Sequence, residues 1–534
     1  MPDNNPNLLS VLCKNNSNPQ EPTLADLFED QPQRFQHFSK HWQQMLFDYS
    51  RTGLTSARLD SLLQLVDESG LEKWRRRLLT GEEVNTSEGR SADHCLMRTT
   101  KPEDSANILG LVIQVQRAEM LTLGASLYQG ILPGYSKAIT DVIHLGIGGS
   151  VLGPQLVLEA LQGTNSGTVR VHFLSSADGW QVSALMAKLD PQSTAVIVVS
   201  KSFSTKEVKL NLQRLRQWLS TAEQGDATEQ LIAVTSDYAR AQAAGFSQQN
   251  ILLFPESIGG RYSLWSAVGL PIVIRYGEAV YLELLAGAEQ MDKHFSEAAT
   301  ENNLPVLAAL VTIWHRNICN FPAVAVVAYD SRLRLLPAWL QQLDMESAGK
   351  SVDRQGQPLQ HPAAPIIFGG SGTEVQHAFF QALYQGMDTI PVEFIGVICN
   401  DSELPANKSH NRFQLANLIG QADALAFTQQ SSDTAESTNA DPHRQFAGNC
   451  PSSVVMLDSL NANSLGQLLA FYEHRIFVQS IIWGNNPFDQ FGVEFGKHTA
   501  SEVEDFLRVK GASKTGCKPA ELNSLREWVA ERLD

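Results

Sequence analysis

Six cysteines occur among 534 residues, and each stands alone: Cys13, Cys95, Cys319, Cys399, Cys450 and Cys517. No CxxC pair, Cys/His ligand spacing or HExxH occurs, so zinc ribbons, thiol redox pairs and zinc peptidases are excluded. Free thiols in a reducing compartment are the expectation, with no metal site. Basic runs are missing as well. Lys and Arg number 41 against 57 Asp and Glu, a formal net charge of −16, which makes nucleic acid and anionic membranes poor partners. Long apolar runs are also lacking: LPVLAALVTIW, at 304–314, is far too short to span a bilayer. The N-terminal stretch MPDNNPNLLSVLCKNNSNPQEPT has no charged-then-apolar layout of a signal peptide. A cytoplasmic protein without nucleic-acid or membrane partners is expected.

What is present is ordinary globular composition, 43% hydrophobic and 18% charged, in a chain long enough for two or more domains. Residues 1–20 read as a loose polar tail. Apolar residues three and four apart predict helix from about Leu24 to Leu79. Strand–helix alternation follows, with short β-branched runs at 141–147, 169–175, 194–200, 230–236 and 250–255. A second such block has strands at 321–330, 364–370 and 391–399. This rhythm predicts an α/β protein with two doubly wound parallel sheets. Residues 428–442 read as a surface loop, and the chain from about Ser501 as amphipathic helix.

The glycine-rich stretch HLGIGGSVLGP at 144–154 admits three readings. A dinucleotide fingerprint would need a glycine where Val151 stands and an acidic residue about 20 positions on; Asp178 comes too late. A Walker A loop needs a GK[ST] that is absent here; the GKS at 349–351 has Asp344 in place of its first glycine. The third reading is a phosphate-monoester pocket, with Ser150 at a strand end and Pro154 in the first turn of a helix whose N–H groups face the anion. A second strand end presents Ser200, Lys201, Ser202, Ser204 and Thr205. There Ser204-x-x-Glu207 also fits a capping box. Ligands of such sheets bind beyond the strands' carboxyl ends, so both loops can meet one phosphate.

With both loops in hand, the chain resembles the glucose-6-phosphate isomerase family, whose sugar-isomerase (SIS) fold has two such domains. The blocks TSEGRSADHCLMR (86–98), SKSFSTKE, GGRYSLWSAVGL (259–270), LQQLDMESAGKS (340–351), GTEVQHAFFQ (372–381), YEHRIFVQS (472–480) and FDQFGVEFGK (488–497) run in family order. The resemblance implies a tail over 1–23, a smaller SIS domain over 105–272 with the phosphate loops, a larger one from 24–104 plus 273–500, and a helical arm over 501–534. It implies reversible conversion of D-glucose 6-phosphate to D-fructose 6-phosphate, without metal or organic cofactor, in a homodimer. Carried over by position, Ser150, Ser200, Ser202 and Thr205 contact phosphate, with Gly149, Lys201 and Ser204 in the same loops. Glu346 is the isomerisation base and Arg261 faces the enediolate. His377, reaching in from the neighbouring subunit, and Lys497 serve ring opening, while Gln342 and Gln490 line the pocket. The rival reading is a sugar-phosphate-binding regulator of the same fold, which would need the loops but not the four catalytic residues together.

Those residues suit the chemistry. Moving a proton between adjacent carbons takes a base and a positive group for the developing oxyanion. PAWLQQLDMESAGK predicts a helix with Pro337 in its first turn, Glu346 in its last and Gly349 just past its end. Departures from the family pattern are Val151 for aspartate, Lys206 in place of glutamine, and Gly370-Ser371 for an acid and proline upstream of His377.

Overall fold

A computed structural model describes residues 22–99, 108–221, 227–399, 405–427, 442–508, 523–530 and 532–533, together with Leu9. The loop expected over 428–442 falls outside them but for its last residue, as does nearly all of the tail 1–23. The stretch 24–79 departs from the helical expectation. In its middle lie β1 (Ser39–Trp42) and β2 (Met45–Arg51), paired antiparallel with Trp42 opposite Met45. The two-residue turn between them holds Gln43 at φ +50°, as tight hairpin turns that follow strand twist require. Met45, Phe47 and Tyr49 alternate into the core; this period of two is hidden in the sequence because Leu46 between them is also apolar.

The first α/β half matches expectation. β3 (Asp141–Leu145), β4 (Arg170–Leu174), β5 (Thr194–Val199), β6 (Leu231–Thr235) and β7 (Ile251–Leu253) form a wholly parallel sheet in the order β4-β3-β5-β6-β7. Helices α1 (Gly149–Ala160) and α2 (Lys206–Ser220) follow β3 and β5. Every residue of β3, β5 and β6 is buried, the mark of strands covered on both faces. The second sheet has the order β1-β2-β11-β10-β8-β9, with β8 (Ala323–Ala328), β9 (Ile366–Ser371), β10 (Val392–Cys399) and β11 (Ser452–Ser459). Those four strands run parallel, but β2 joins β11 antiparallel, so this sheet is mixed rather than purely parallel.

Helix α3 (Glu278–Glu297) packs along α4 (Ala462–Trp483), which is buried over nearly its whole length. Charges inside that core are paired. Arg98 bonds Asp292 at 2.7 Å and also meets Glu473, whose carboxylate accepts from Trp265 Nε1 at 3.0 Å. One residue on, His474 Nε2 lies 2.6 Å from Asp292. Arg475 then reaches Asp344 at 2.6 Å and Glu393 at 2.9 Å. Such pairs fix geometry rather than add much stability, since desolvation offsets most of their attraction. The Arg475–Asp344 bond anchors the segment that carries Glu346.

Residues 1–487 form one compact unit and Phe488–Asp534 a second. The second holds α5 (Phe491–Arg508) and the helix Asn523–Ala530, so its helical character begins before Ser501. Among the described residues no helix is long and apolar enough to cross a membrane, and no disulfide joins their cysteines.

Candidate active site

Strand order locates the crevice. From β3 the chain crosses to β4 on one side and returns as β5 on the other, with Leu145 opposite Val198. The gap beyond the carboxyl ends of β3 and β5 is therefore the switch point where open α/β sheets bind ligands. The loops 146–150 and 200–205 flank it. Gly148 takes φ +57°, and α1 begins at Gly149, so Ser150 lies in its first turn. Pro154 is inside this helix instead of opening it. A proline there leaves the carbonyl four residues back without its helical donor. That carbonyl belongs to Ser150, and His144 Nε2 donates to it at 2.7 Å. Burial pushes the His144 imidazole down to about 4, so it serves as a neutral donor.

On the second loop, Ser200 and Thr205 join their hydroxyls at 3.1 Å. The capping box expected at Ser204 does not form. Thr205 is the N-cap of α2, and its side chain bonds Ser200 rather than the helix. Ser204 instead meets Ser202. The Lys201 carbonyl is fixed by Thr235 Oγ1 at 2.9 Å and by Ser236 N at 3.1 Å. The half-buried Lys201 ammonium is pushed down to about 8 by burial and then by Arg90, against the pull of Glu88 and Glu256.

Contacts from the rest of the chain close on these loops. A β-carbon added to Gly149 would lie 2.2 Å from the Gly260 carbonyl and 2.5 Å from Arg261 N. Over Gly148 stands the Gln342 amide, 3.0 Å from where a β-carbon would be. Gln342 and Glu346 share a π-helical stretch, Gln341–Glu346, which continues the helix Leu336–Leu340 opened by Pro337; such turns recur at functional sites. Arg261 sits buried in the 3₁₀ turn Gly260–Trp265. Its Nη1 is 3.8 Å from Glu346 Oε2. Its Nε donates to Ser347 Oγ at 2.7 Å and its Nη2 to the Pro487 carbonyl at 2.6 Å. The buried Oε2 of Glu346 accepts no hydrogen bond among the described residues. A carboxylate with an oxygen unengaged, beside a buried guanidinium and next to two hydroxyl-bearing loops, can take a proton from carbon while the cation faces the oxyanion that results.

Gly149, Arg261, Gln342 and Glu346 are thus brought together, and the Ser200–Thr205 loop lies at the adjacent strand end. His377 is exposed, as the C-cap of the helix Gly372–Gln376, and the described contacts do not join it to Glu346. Gln490 and Lys497 belong to the second unit, where Lys497 is exposed on α5. Sequence reading missed Ser347 and Tyr262, whose hydroxyls meet at 3.0 Å behind Arg261; they are 85 positions apart, with no local pattern linking them. Among the described residues, Cys95, Asp292 and His474 have ligand atoms within 4.8 Å of one another. Asp292 there is already bonded to the Arg98 guanidinium, which would face any cation.

The family model for phosphoglucose isomerase matches residues 48–518. The glucose-6-phosphate isomerase of Stenotrophomonas maltophilia (strain R551-3) is 42% identical over 485 residues, covering 90% of this chain and 91% of that one. Glucose-6-phosphate isomerase 2 of Neisseria meningitidis serogroup B is 40% identical over 514 residues, covering 92% and 93%. A crystal structure of a glucose-6-phosphate isomerase from Chlamydia trachomatis superposes with a TM-score of 0.86 at 30% identity, covering 98% of each chain.

Proposed function

The chain belongs to the phosphoglucose isomerase family, and from that premise we propose how it interconverts D-glucose 6-phosphate and D-fructose 6-phosphate. It is an aldose–ketose isomerase, an intramolecular oxidoreductase of glycolysis and gluconeogenesis. The phosphate rests on Gly149, Ser150, Ser200, Lys201, Ser202, Ser204 and Thr205. His377 and Lys497 open the sugar ring. Glu346 then removes the proton from C2 and returns it to C1, and Arg261 faces the enediolate oxygens between the two steps. Gln342 and Gln490 line the pocket. With His377 supplied by the neighbouring subunit, as in the family, the working enzyme is a homodimer. We place it in the cytoplasm, with the two SIS domains bounded at 105–272 and at 24–104 plus 273–500.

The observation that carries this reading is the 3.8 Å approach of Arg261 Nη1 to Glu346 Oε2 beside the Gly148–Ser150 turn. A regulator that only senses a sugar phosphate needs no such pair. Incubation with glucose 6-phosphate in D₂O, followed by proton NMR, should give fructose 6-phosphate carrying deuterium from solvent. Glu346→Gln should lose both product and exchange by orders of magnitude. Binding without product or exchange in the unmodified protein would make it a sensor instead.

A further inference from the structure

Between Arg261 and Glu346 the spacing is unusual. At 3.8 Å the ions are close but one short step from a hydrogen-bonded pair. A buried guanidinium and a largely covered carboxylate this close would be expected to collapse onto each other. What prevents this is on the opposite edge of the guanidinium.

Ser347 Oγ, wholly buried, accepts from Arg261 Nε at 2.7 Å. The same oxygen lies 3.0 Å from the Tyr262 hydroxyl. The Pro487 carbonyl takes Arg261 Nη2 at 2.6 Å. The phenol is itself held: its ring stacks on His94, with centroids 4.6 Å apart and planes 28° apart. Burial raises the Tyr262 phenol above its ordinary range, so it stays protonated and available for a hydrogen bond. Three groups thus grip the guanidinium plane from behind.

Resting on the isomerase reading above, we propose that Ser347 and Tyr262 are positioning residues that hold Arg261 short of Glu346, so that the carboxylate stays a competent base. Without the Ser347 oxygen, the guanidinium turns and bonds Glu346 directly. A carboxylate in a direct pair is a weaker base, and its ionisation moves to lower pH. Among the described residues, the charged groups on the turn of Glu346 and just past it are engaged elsewhere. Asp344, on the same π turn, is bonded to Arg475 of α4, and Lys350 donates from Nζ to the Asn486 carbonyl at 2.8 Å. β9, which also packs on this turn, contributes no ionisable side chain. Arg261 is the cation whose position sets the behaviour of Glu346.

The test compares Ser347→Ala, Ser347→Thr and Tyr262→Phe with the unmodified enzyme and with Glu346→Gln, measuring kcat and KM for glucose 6-phosphate from pH 5 to 10. In Ser347→Ala, kcat falls roughly 10- to 100-fold while KM changes less than about threefold, because phosphate is held elsewhere. The acid limb of its pH profile moves to lower pH. Ser347→Thr, keeping the oxygen, restores most of kcat and the original limb. Tyr262→Phe, keeping the ring stack, gives a smaller shift in the same direction, and it decides the matter if Ser347→Ala fails to fold. Unchanged kcat and an unmoved acid limb in the folded variants, with Glu346→Gln still inactive, would overturn the positioning role and leave the isomerase reading intact. Failure of the unmodified protein to isomerise would strike the function itself first.

Discussion

Gly149 and Gly260 meet backbone to backbone: a β-carbon at Gly149 would come within 2.2 Å of the Gly260 carbonyl. One turn belongs to the first sheet, and the other leads directly into Arg261. The contact sets the distance between the start of α1, where we propose the phosphate rests, and Arg261. Only hydrogen in place of a side chain permits it.

Gly149→Ala should therefore force the two loops apart. Overpacking of this kind costs about 1–3 kcal/mol of stability, which a shift in the urea midpoint would register. The effect on catalysis should be larger, since a misplacement of about 1 Å can cost on the order of 100-fold. Full activity with an unchanged midpoint would mean that the contact is not needed.

Much of this arrangement is legible in the sequence. The eight parallel strands of the two blocks are short β-branched runs between amphipathic helices, and each appears where the runs lie. The glycine loop carries its own geometry. What the sequence conceals depends on contacts between distant residues. The alternation in Met45, Phe47 and Tyr49 is blurred because Leu46 is also apolar, and the sheet edge offered by β11 decides for strand. β11 itself, with its run of Val454, Val455, Met456 and Leu457, went unread beside a polar tract. The Ser204-x-x-Glu207 pattern fits a cap, yet Thr205 takes the N-cap and bonds Ser200. Nothing local marks Ser347 or Tyr262, whose roles exist only once Arg261 has been folded against them.

Lys201 should make substrate affinity fall at alkaline pH. Its ammonium, depressed to about 8 chiefly by burial, loses its charge as pH rises through that value, and the phosphate loses a cation. Above it KM should climb, by up to roughly tenfold per pH unit for a single essential proton, while kcat changes less. Lys201→Arg keeps its charge throughout and should flatten the rise between pH 7.5 and 9.5, whatever its absolute KM. An identical KM profile in the two proteins would remove Lys201 from the phosphate site.

Acid should weaken the fold through its buried histidines, although Asp344, pushed up to about 6 by burial, opposes them as it protonates in the folded protein. His144, His294 and His315 are buried, and burial depresses each imidazole from 6.5 to about 4. The unfolded chain therefore binds these protons first. A depressed histidine gives stability that is intact above its unfolded value, declines as pH falls below about 6.5, and stops declining only below about 4. Each contributes at most one proton, or about 1.4 kcal/mol per pH unit. Urea midpoints measured at pH 7.5, 6.0 and 5.0 should drop steeply between the last two. His94, His361 and His474 are lowered in the same direction, so His315→Gln, which removes one of these six groups, should lessen the slope without abolishing it, even if it lowers stability at pH 7.5. A flat profile from pH 7.5 to 5.0 would show that these imidazoles are charged in the folded protein.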